Sequence, residues 1–395
     1  MVLRDDVRAI VDGFDGLLPL EPALVARSWM SPGRRLGLSD EGYDAGERGW
    51  ICERWLASTT PANNEITVDG EGVSRVAVSN GPSVRLDELM TAGPEYLVGA
   101  DYASRHDGLG RLAKVFDYSE RVPFHIHPPT EQAALAGHRS KDEAYYFLPN
   151  TDLGLHPEAF FGVHPSLPTE EVGSRIVAHL ARWKGSDILG LSRGFLQIPE
   201  AGFFVPSGLL HAPGTALTFE LQEDSDAMAM LQAECGEHTL SKSLLLKDIS
   251  PDRVAELGDA AVLEWIDWDL NQTTDIFASF HIEPQKLHAS NGTEVCWIVW
   301  GSRKFAAKRL RLSAGASHRL VEEGAFGAFI WSGRGEFGGR SVVGGAPGND
   351  EFLVTAERAA AGVDVANTGS EMMEVLLFFG PDIYAEVAPV VSPAR

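Results

Sequence analysis

Short stretches of alternating or clustered apolar residues, bounded by glycine and proline, recur along almost the whole chain. With 41 Gly and 22 Pro as punctuation, this pattern predicts a mainly β protein built from sandwiches or barrels. The expected strands of the first half are Trp50–Leu56, Val73–Ser79, Arg111–Tyr118, Val122–His127, Glu143–Leu148, Gly194–Pro199, Thr215–Gln222 and Ala227–Ala233. In Thr215–Gln222, Leu217, Phe219 and Leu221 alternate with Thr218, Glu220 and Gln222, as in a sheet with one buried face. Helices are fewer. Arg85–Thr91 and Thr130–Ala136 are short. The strongest is Thr169–Trp183, with Thr169 placed to cap it, Glu170 and Glu171 in its first turn, and Ile176, Val177, Leu180 and Trp183 on one stripe. Pro251–Leu257 and Ala261–Trp268 are expected close together. From about Asp275 the chain is β-rich again, through EVCWIVWG, GAFGAFIWSG and MEVLLFFG.

A length of 395 residues suggests two domains. The acidic stretch at roughly residues 250–275 is the expected boundary. That gives a first domain of about residues 1–250 with a helical insertion near 150–185, and a second of about 275–395.

The chemistry concentrates in FHIHPPTEQAALAGHRSKDEAYYFL, residues 124–148. In a strand, residues i and i+2 share a face. His125 and His127 therefore point one way while Phe124 and Ile126 point the other. Glu143 opens an aromatic strand in which a buried carboxylate would need a partner. His211 lies in the turn FFVPSGLLHAPG, where the chain can bend a side chain inward. Three imidazoles and one carboxylate converging from separate strands form a divalent-metal site with room for a small ligand.

Composition narrows the function. Lys and Arg number 33 against 56 Asp and Glu, a formal net charge of −23. That argues against nucleic acid and against an anionic membrane surface as partners. The start of the chain does not read as a secretory signal, and no apolar run reaches membrane-spanning length. Cys52, Cys235 and Cys296 are scattered and match no zinc motif, so they read as thiols of a reducing compartment and a cytoplasmic protein.

The order of motifs resembles the type I mannose-6-phosphate isomerases, zinc enzymes of the cupin superfamily. The matching segments are RWLASTT with VSRVAVSNGPSVRLDELM, GRLAKVFDYSERVPFHIHP, SKDEAYYFL, GFLQIPEAGFFVPSGLLHAPG and ELQEDSD, together spanning roughly Trp50 to Asp226. The resemblance implies two cupin-like β-barrels (a bicupin) with a small helical insertion, the first binding metal and the second metal-free. It implies an isomerase of carbohydrate metabolism acting on a small sugar or sugar phosphate. His127, Glu143 and His211 fall on the family's metal ligands. His125 stands where the family usually has glutamine, which restores the three-His, one-Glu set of other cupins. Zinc is then the expected metal, with iron, manganese or nickel open. Lys141 falls on the family's catalytic lysine and shares a strand face with Glu143. Met230 stands where the family has an arginine directed at substrate, and methionine offers neither charge nor donor. Arg139, Arg182, Lys184 and Arg193 are the candidate replacements, with Arg139 and Lys141 expected to bind substrate.

Aldose–ketose isomerisation needs a base for the proton beside the carbonyl and positive charge for the developing oxyanion. Lys141 is expected to relay the proton or pair with the oxyanion, and His138 is a second acid–base candidate. Two other classes compete: a non-haem iron dioxygenase and a sugar-binding cupin without turnover. Single-barrel oxygenases usually place the glutamate a few residues after the paired histidines, and the longer gap from His127 to Glu143 favours the isomerase plan. FHIEP, with His281 and Glu283, echoes the first motif, but it lacks a later Glu and His in the right places.

Overall fold

The computed structural model describes residues 2–78, 82–149 and 152–385. Four antiparallel sheets stack face to face and make two sandwiches back to back. The outermost has five strands in the order Arg193–Leu196, Glu158–Phe161, His211–Ala212, His125–Ile126, Ala229–Met230. Next lies a seven-stranded sheet ordered His281–Ile282, Gly202–Val205, Glu143–Phe147, Thr218–Glu223, Arg111–Phe116, Trp50–Leu56, Ala23–Arg27. A nine-stranded sheet follows, centred on Ala306–Leu312, Met373–Phe379 and Phe326–Ser332. A four-stranded sheet, Ser317–Leu320, Val363–Asn367, Arg334–Phe337 and Arg340–Val343, closes the stack.

Each gap between layers is filled by the side chains that alternation sends into it. Phe116, Tyr145, Phe147 and Phe203 meet Phe161 and Met230 inside the first sandwich. Val115, Tyr146, Phe219 and Leu221 meet Ile298, Phe329, Leu376 and Phe378 between the sandwiches. Phe326, Ile330 and Leu377 meet Leu320, Phe337 and Val365 inside the second. The outer face of the five-stranded sheet, with Phe124, Ile126 and Leu210, is covered by Ile176 and Leu180 of the helix Thr169–Arg182 and by Trp265.

Strands cross between the units. Leu17–Glu21 pairs with Glu351–Val354, and His281–Ile282 pairs with Gly202–Val205. Between the sandwiches Arg54 bonds both oxygens of Asp350 at 2.7 and 2.8 Å and Glu351 at 2.9 Å.

Trp50–Leu56 and Pro251–Leu257 occupy the predicted bounds. Several other strands are shorter than the pattern suggests: Val122–His127 reduces to His125–Ile126, and Ala227–Ala233 to Ala229–Met230. The ladder ends where the chain bends to aim these residues inward. Val73–Ser79 is a strand only at Arg75–Val76, and Ser79 lies outside the described residues. Thr169 does not cap its helix. Pro168 holds the capping position, and the Thr169 hydroxyl donates to Gln272 Oε1 at 3.2 Å. Ala261–Trp268 is instead a 3-10 turn at Gly258–Trp265, followed by a short helix from Trp268. The helix Arg4–Gly13 and the strands Leu17–Glu21 and Ala23–Arg27 were not anticipated.

The most consequential difference concerns Thr218–Glu223. Both faces are buried. Its apolar face packs between the sandwiches, and its polar face, with Glu220, looks into the first sandwich. No helix among the described residues is long and apolar enough to cross a membrane.

Candidate metal centre

Two elements of the five-stranded sheet and one of the seven-stranded sheet aim four side chains at a single point. His211 faces His125 across an antiparallel pair, and Met230 flanks His125 on the other side. Glu143 begins the strand opposite. His125, His127, Glu143 and His211 are all buried, and one ligand atom from each lies within 4.8 Å of the others. Among the described residues this is the one group of three or more such side chains brought that close.

The backbone fixes which ring nitrogens face inward. His125 Nδ1 lies 2.7 Å from Pro123 O, His127 Nδ1 2.9 Å from Ala227 O, and His211 Nδ1 2.8 Å from Leu209 O. A carbonyl only accepts, so each Nδ1 carries the proton and each Nε2 presents a lone pair. His127 Nε2 is 3.1 Å from Glu143 Oε2, and His211 Nε2 is 2.9 Å from Glu143 Oε1. Yet His211 Nε2 is buried without a hydrogen bond of acceptable geometry. Neutral imidazoles with inward lone pairs, an orphaned buried nitrogen and one carboxylate are the donor set of a divalent cation.

Electrostatics agree. Burial, then His211 and His127, hold the His125 ring well below its usual pKa. Burial and Lys141 bring His127 down to about 4. Burial alone would raise Glu143, but Lys141, His127 and His211 overcome it and keep the carboxyl well below its ordinary value. A neutral His125, a neutral His127 and an ionised Glu143 are the states a metal ligand needs.

The cavity beside this cluster is lined by Arg27, Glu53, Lys114, Lys141, Glu143 and Glu220, with Trp29, Phe116, Tyr118, Tyr145, Met228 and Met230 among the apolar and aromatic walls. Lys141 Nζ lies 3.0 Å from Glu143 Oε2, 3.2 Å from His127 Nε2 and 3.5 Å from Glu220 Oε1. On the other side Lys114 Nζ lies 3.3 Å from Glu220 Oε2. Burial pushes Glu220 up to about 8 against the pull of Lys114, and Glu143 adds to the rise. Tyr145 donates its hydroxyl to Glu143 Oε1.

The remaining sequence candidates lie elsewhere. His138 Nε2 is 3.6 Å from Asp248 Oδ1 and does not line this cavity. Arg139 is half exposed, bonds Asp107 at 3.0 Å, and lines a surface cleft with Lys304 and Glu223. Arg182 pairs with Asp187, Arg193 donates to the carbonyls of Thr274 and Asn271, and Lys184 is exposed. The cations at the cavity are Arg27, Lys114 and Lys141. Sequence reasoning passed over Arg27, Glu53, Lys114 and Glu220. For Glu53 and Lys114 the available signal was a charged residue inside an otherwise apolar strand, as in WICERWL and RLAKVF.

The architecture is a cupin-like, mainly β fold. At this level the chain is similar to the mannose 6-phosphate isomerase of Bacillus subtilis, with 18% identity, 91% of this chain and 99% of that one covered, and a TM-score of 0.61. It is similar also to a single-residue variant of phosphomannose isomerase from Salmonella typhimurium, with 11% identity, coverages of 92% and 99%, and a TM-score of 0.62. No protein-family model and no curated protein sequence matches the chain.

Proposed function

We propose that the protein is a metal-dependent aldose–ketose isomerase, similar in plan to the mannose-6-phosphate isomerases. His125, His127 and His211, each through Nε2, and the Glu143 carboxylate would hold the ion, zinc before iron, manganese or nickel. The observation that carries the reading is the placement of two acid–base groups, Lys141 and Glu220, directly beside the four ligands. When bound, a divalent ion supplies Lewis-acid polarisation of a carbonyl. The side chains then have to move one proton between adjacent carbons.

Glu220 is suited to that task. A carboxyl with a pKa of about 8 exchanges its proton near neutral pH, where general acid–base catalysis is most efficient. Its Oε1 is buried with no hydrogen-bond partner, so one oxygen remains available to a substrate C–H or O–H. Lys141 bridges Glu220 and Glu143 and can relay the proton between the substrate and Glu220. Tyr145 orients Glu143 from behind.

The test is isomerisation of a panel of aldoses and their phosphates in deuterated water, alongside metal analysis. Interconversion with deuterium entering the carbon next to the carbonyl supports the reading. Stoichiometric iron with ascorbate-dependent oxygen uptake and no isomerisation overturns it.

A further inference from the structure

The cations of the cavity are not available to an anion. Arg27 is fully buried. Its Nε donates to Glu53 at 2.6 Å, its Nη2 to Glu53 at 3.1 Å and to Asp226 at 3.2 Å, and its Nη1 to Asn64 at 2.9 Å and to Asp226 at 3.3 Å. Lys114 sits between Glu220 and Glu53 at 3.3 and 3.6 Å. Lys141 sits between Glu143 and Glu220 at 3.0 and 3.5 Å. Three cations thus face three carboxylates, Glu53, Glu143 and Asp226, with the Glu220 carboxyl a further acceptor between the two lysines. Phosphate sites work the opposite way, through surplus arginine or lysine donors. Met230, fully buried against His125, adds no donor.

We propose that the cavity takes an uncharged polyhydroxylated carbonyl compound and excludes its phosphorylated counterpart, because its lining carboxylates occupy every cation. A phosphoryl dianion entering here would lose its hydration and meet carboxylate oxygens with no compensating charge. A divalent ion on the four ligands would add positive charge at the imidazoles, where the reacting carbonyl and hydroxyl oxygens draw on it. Sugar hydroxyls suit the walls for the opposite reason: they donate to Glu220, whose Oε1 is buried without a hydrogen-bond partner, while C–H faces lie against the aromatic rings of Trp29 and Tyr118. The inference rests on the isomerase reading only for what happens to the ligand, not for what is held.

The experiment is calorimetric binding of a hexitol and of the same hexitol 6-phosphate to the metal-loaded protein, with no turnover required. The expected result is at least about tenfold tighter binding of the uncharged hexitol. Equal or tighter binding of the phosphate, or no binding of either, overturns the inference. Glu53→Gln keeps the shape and releases Arg27 and Lys114 from one carboxylate, so the preference should shrink several-fold. An unchanged preference in that variant overturns charge pairing as the cause. Turnover measured in parallel separates the two readings. Hexitol binding without isomerisation of any aldose sinks the isomerase and leaves this inference standing. Preferred isomerisation of sugar phosphates does the reverse.

Discussion

The two sandwiches are built alike and filled differently. Inside the first, strands carry Glu53, Lys114, Lys141, Glu143 and Glu220 into the interior beside three histidines. Inside the second, the corresponding space holds Leu310, Phe326, Ile330, Phe337, Phe352, Val375 and Phe379. The second interior has its own buried lysine, Lys308, but it is fully accommodated. It bonds Glu322 at 2.5 Å and lies 4.2, 4.7 and 5.3 Å from the rings of Tyr384, Trp297 and Phe379. Burying charge is costly, and a packed apolar interior is the cheaper way to fill a sandwich. The first interior keeps its charges with one buried histidine nitrogen and one carboxylate oxygen left unbonded. That is the mark of a cavity selected for a ligand, next to one selected for stability.

The sharpest way to break the contrast is to remove a ligand from the first interior. His127→Ala should abolish stoichiometric metal binding and reduce turnover to background, with an unchanged far-ultraviolet dichroism spectrum because the walls belong to the surrounding strands. Metal content equal to wild type would refute the ligand assignment. Lys141→Ala comes next. It should retain the metal and lose on the order of 10²–10⁴-fold in kcat, the usual contribution of a general acid–base group. Near-normal turnover would make Lys141 a bystander. The counterpart in the second interior is Phe352→Ala, which deletes a ring stacked on Phe337 at 5.2 Å. It should cost about 3–5 kcal/mol of stability by denaturant titration and leave metal content at wild-type stoichiometry. Loss of metal in that variant would show that the two interiors are not independent.

This contrast also explains which features the sequence disclosed. His125, His127 and Glu143 were legible as candidates because imidazoles at i and i+2, followed by a carboxylate at a strand start, form a local pattern. The mainly β architecture was legible from strand-length apolar runs between glycines and prolines. Glu220 was misread because alternation in a strand ordinarily means one wet face. Here the sheet is covered on both sides, and the polar face turns into the cavity. Arg27 was invisible for another reason. It comes from an N-terminal strand that local pattern did not predict, and its partners Glu53 and Asp226 are 26 and 199 positions away. The pairing of Leu17–Glu21 with Glu351–Val354 is likewise a long-range choice with no local signature. What the sequence withheld is what depends on sheets stacking.

The layer between the sandwiches gives the smallest predicted effect and tests whether charge buried there behaves like either interior. Arg54 is shared by Asp350 and Glu351, one cation against two carboxylates, all buried. Burial pushes Glu351 up to about 7, against Arg54 and against the Ala57 amide that donates to Glu351 Oε1 at 2.8 Å. The folded state therefore holds a proton on Glu351 that the unfolded chain, with an ordinary glutamate, has released. A raised folded pKa contributes stability that is present below the ordinary glutamate value and is lost as pH climbs through about 7. Glu351→Gln imitates the protonated form and keeps an oxygen for Ala57. Wild type should match the variant near pH 4 and fall behind it by pH 8.5, by on the order of 3 kcal/mol at most. Denaturant midpoints of the two proteins measured across that range would decide. Parallel curves would mean that Arg54 satisfies both carboxylates and that this layer carries no unbalanced charge.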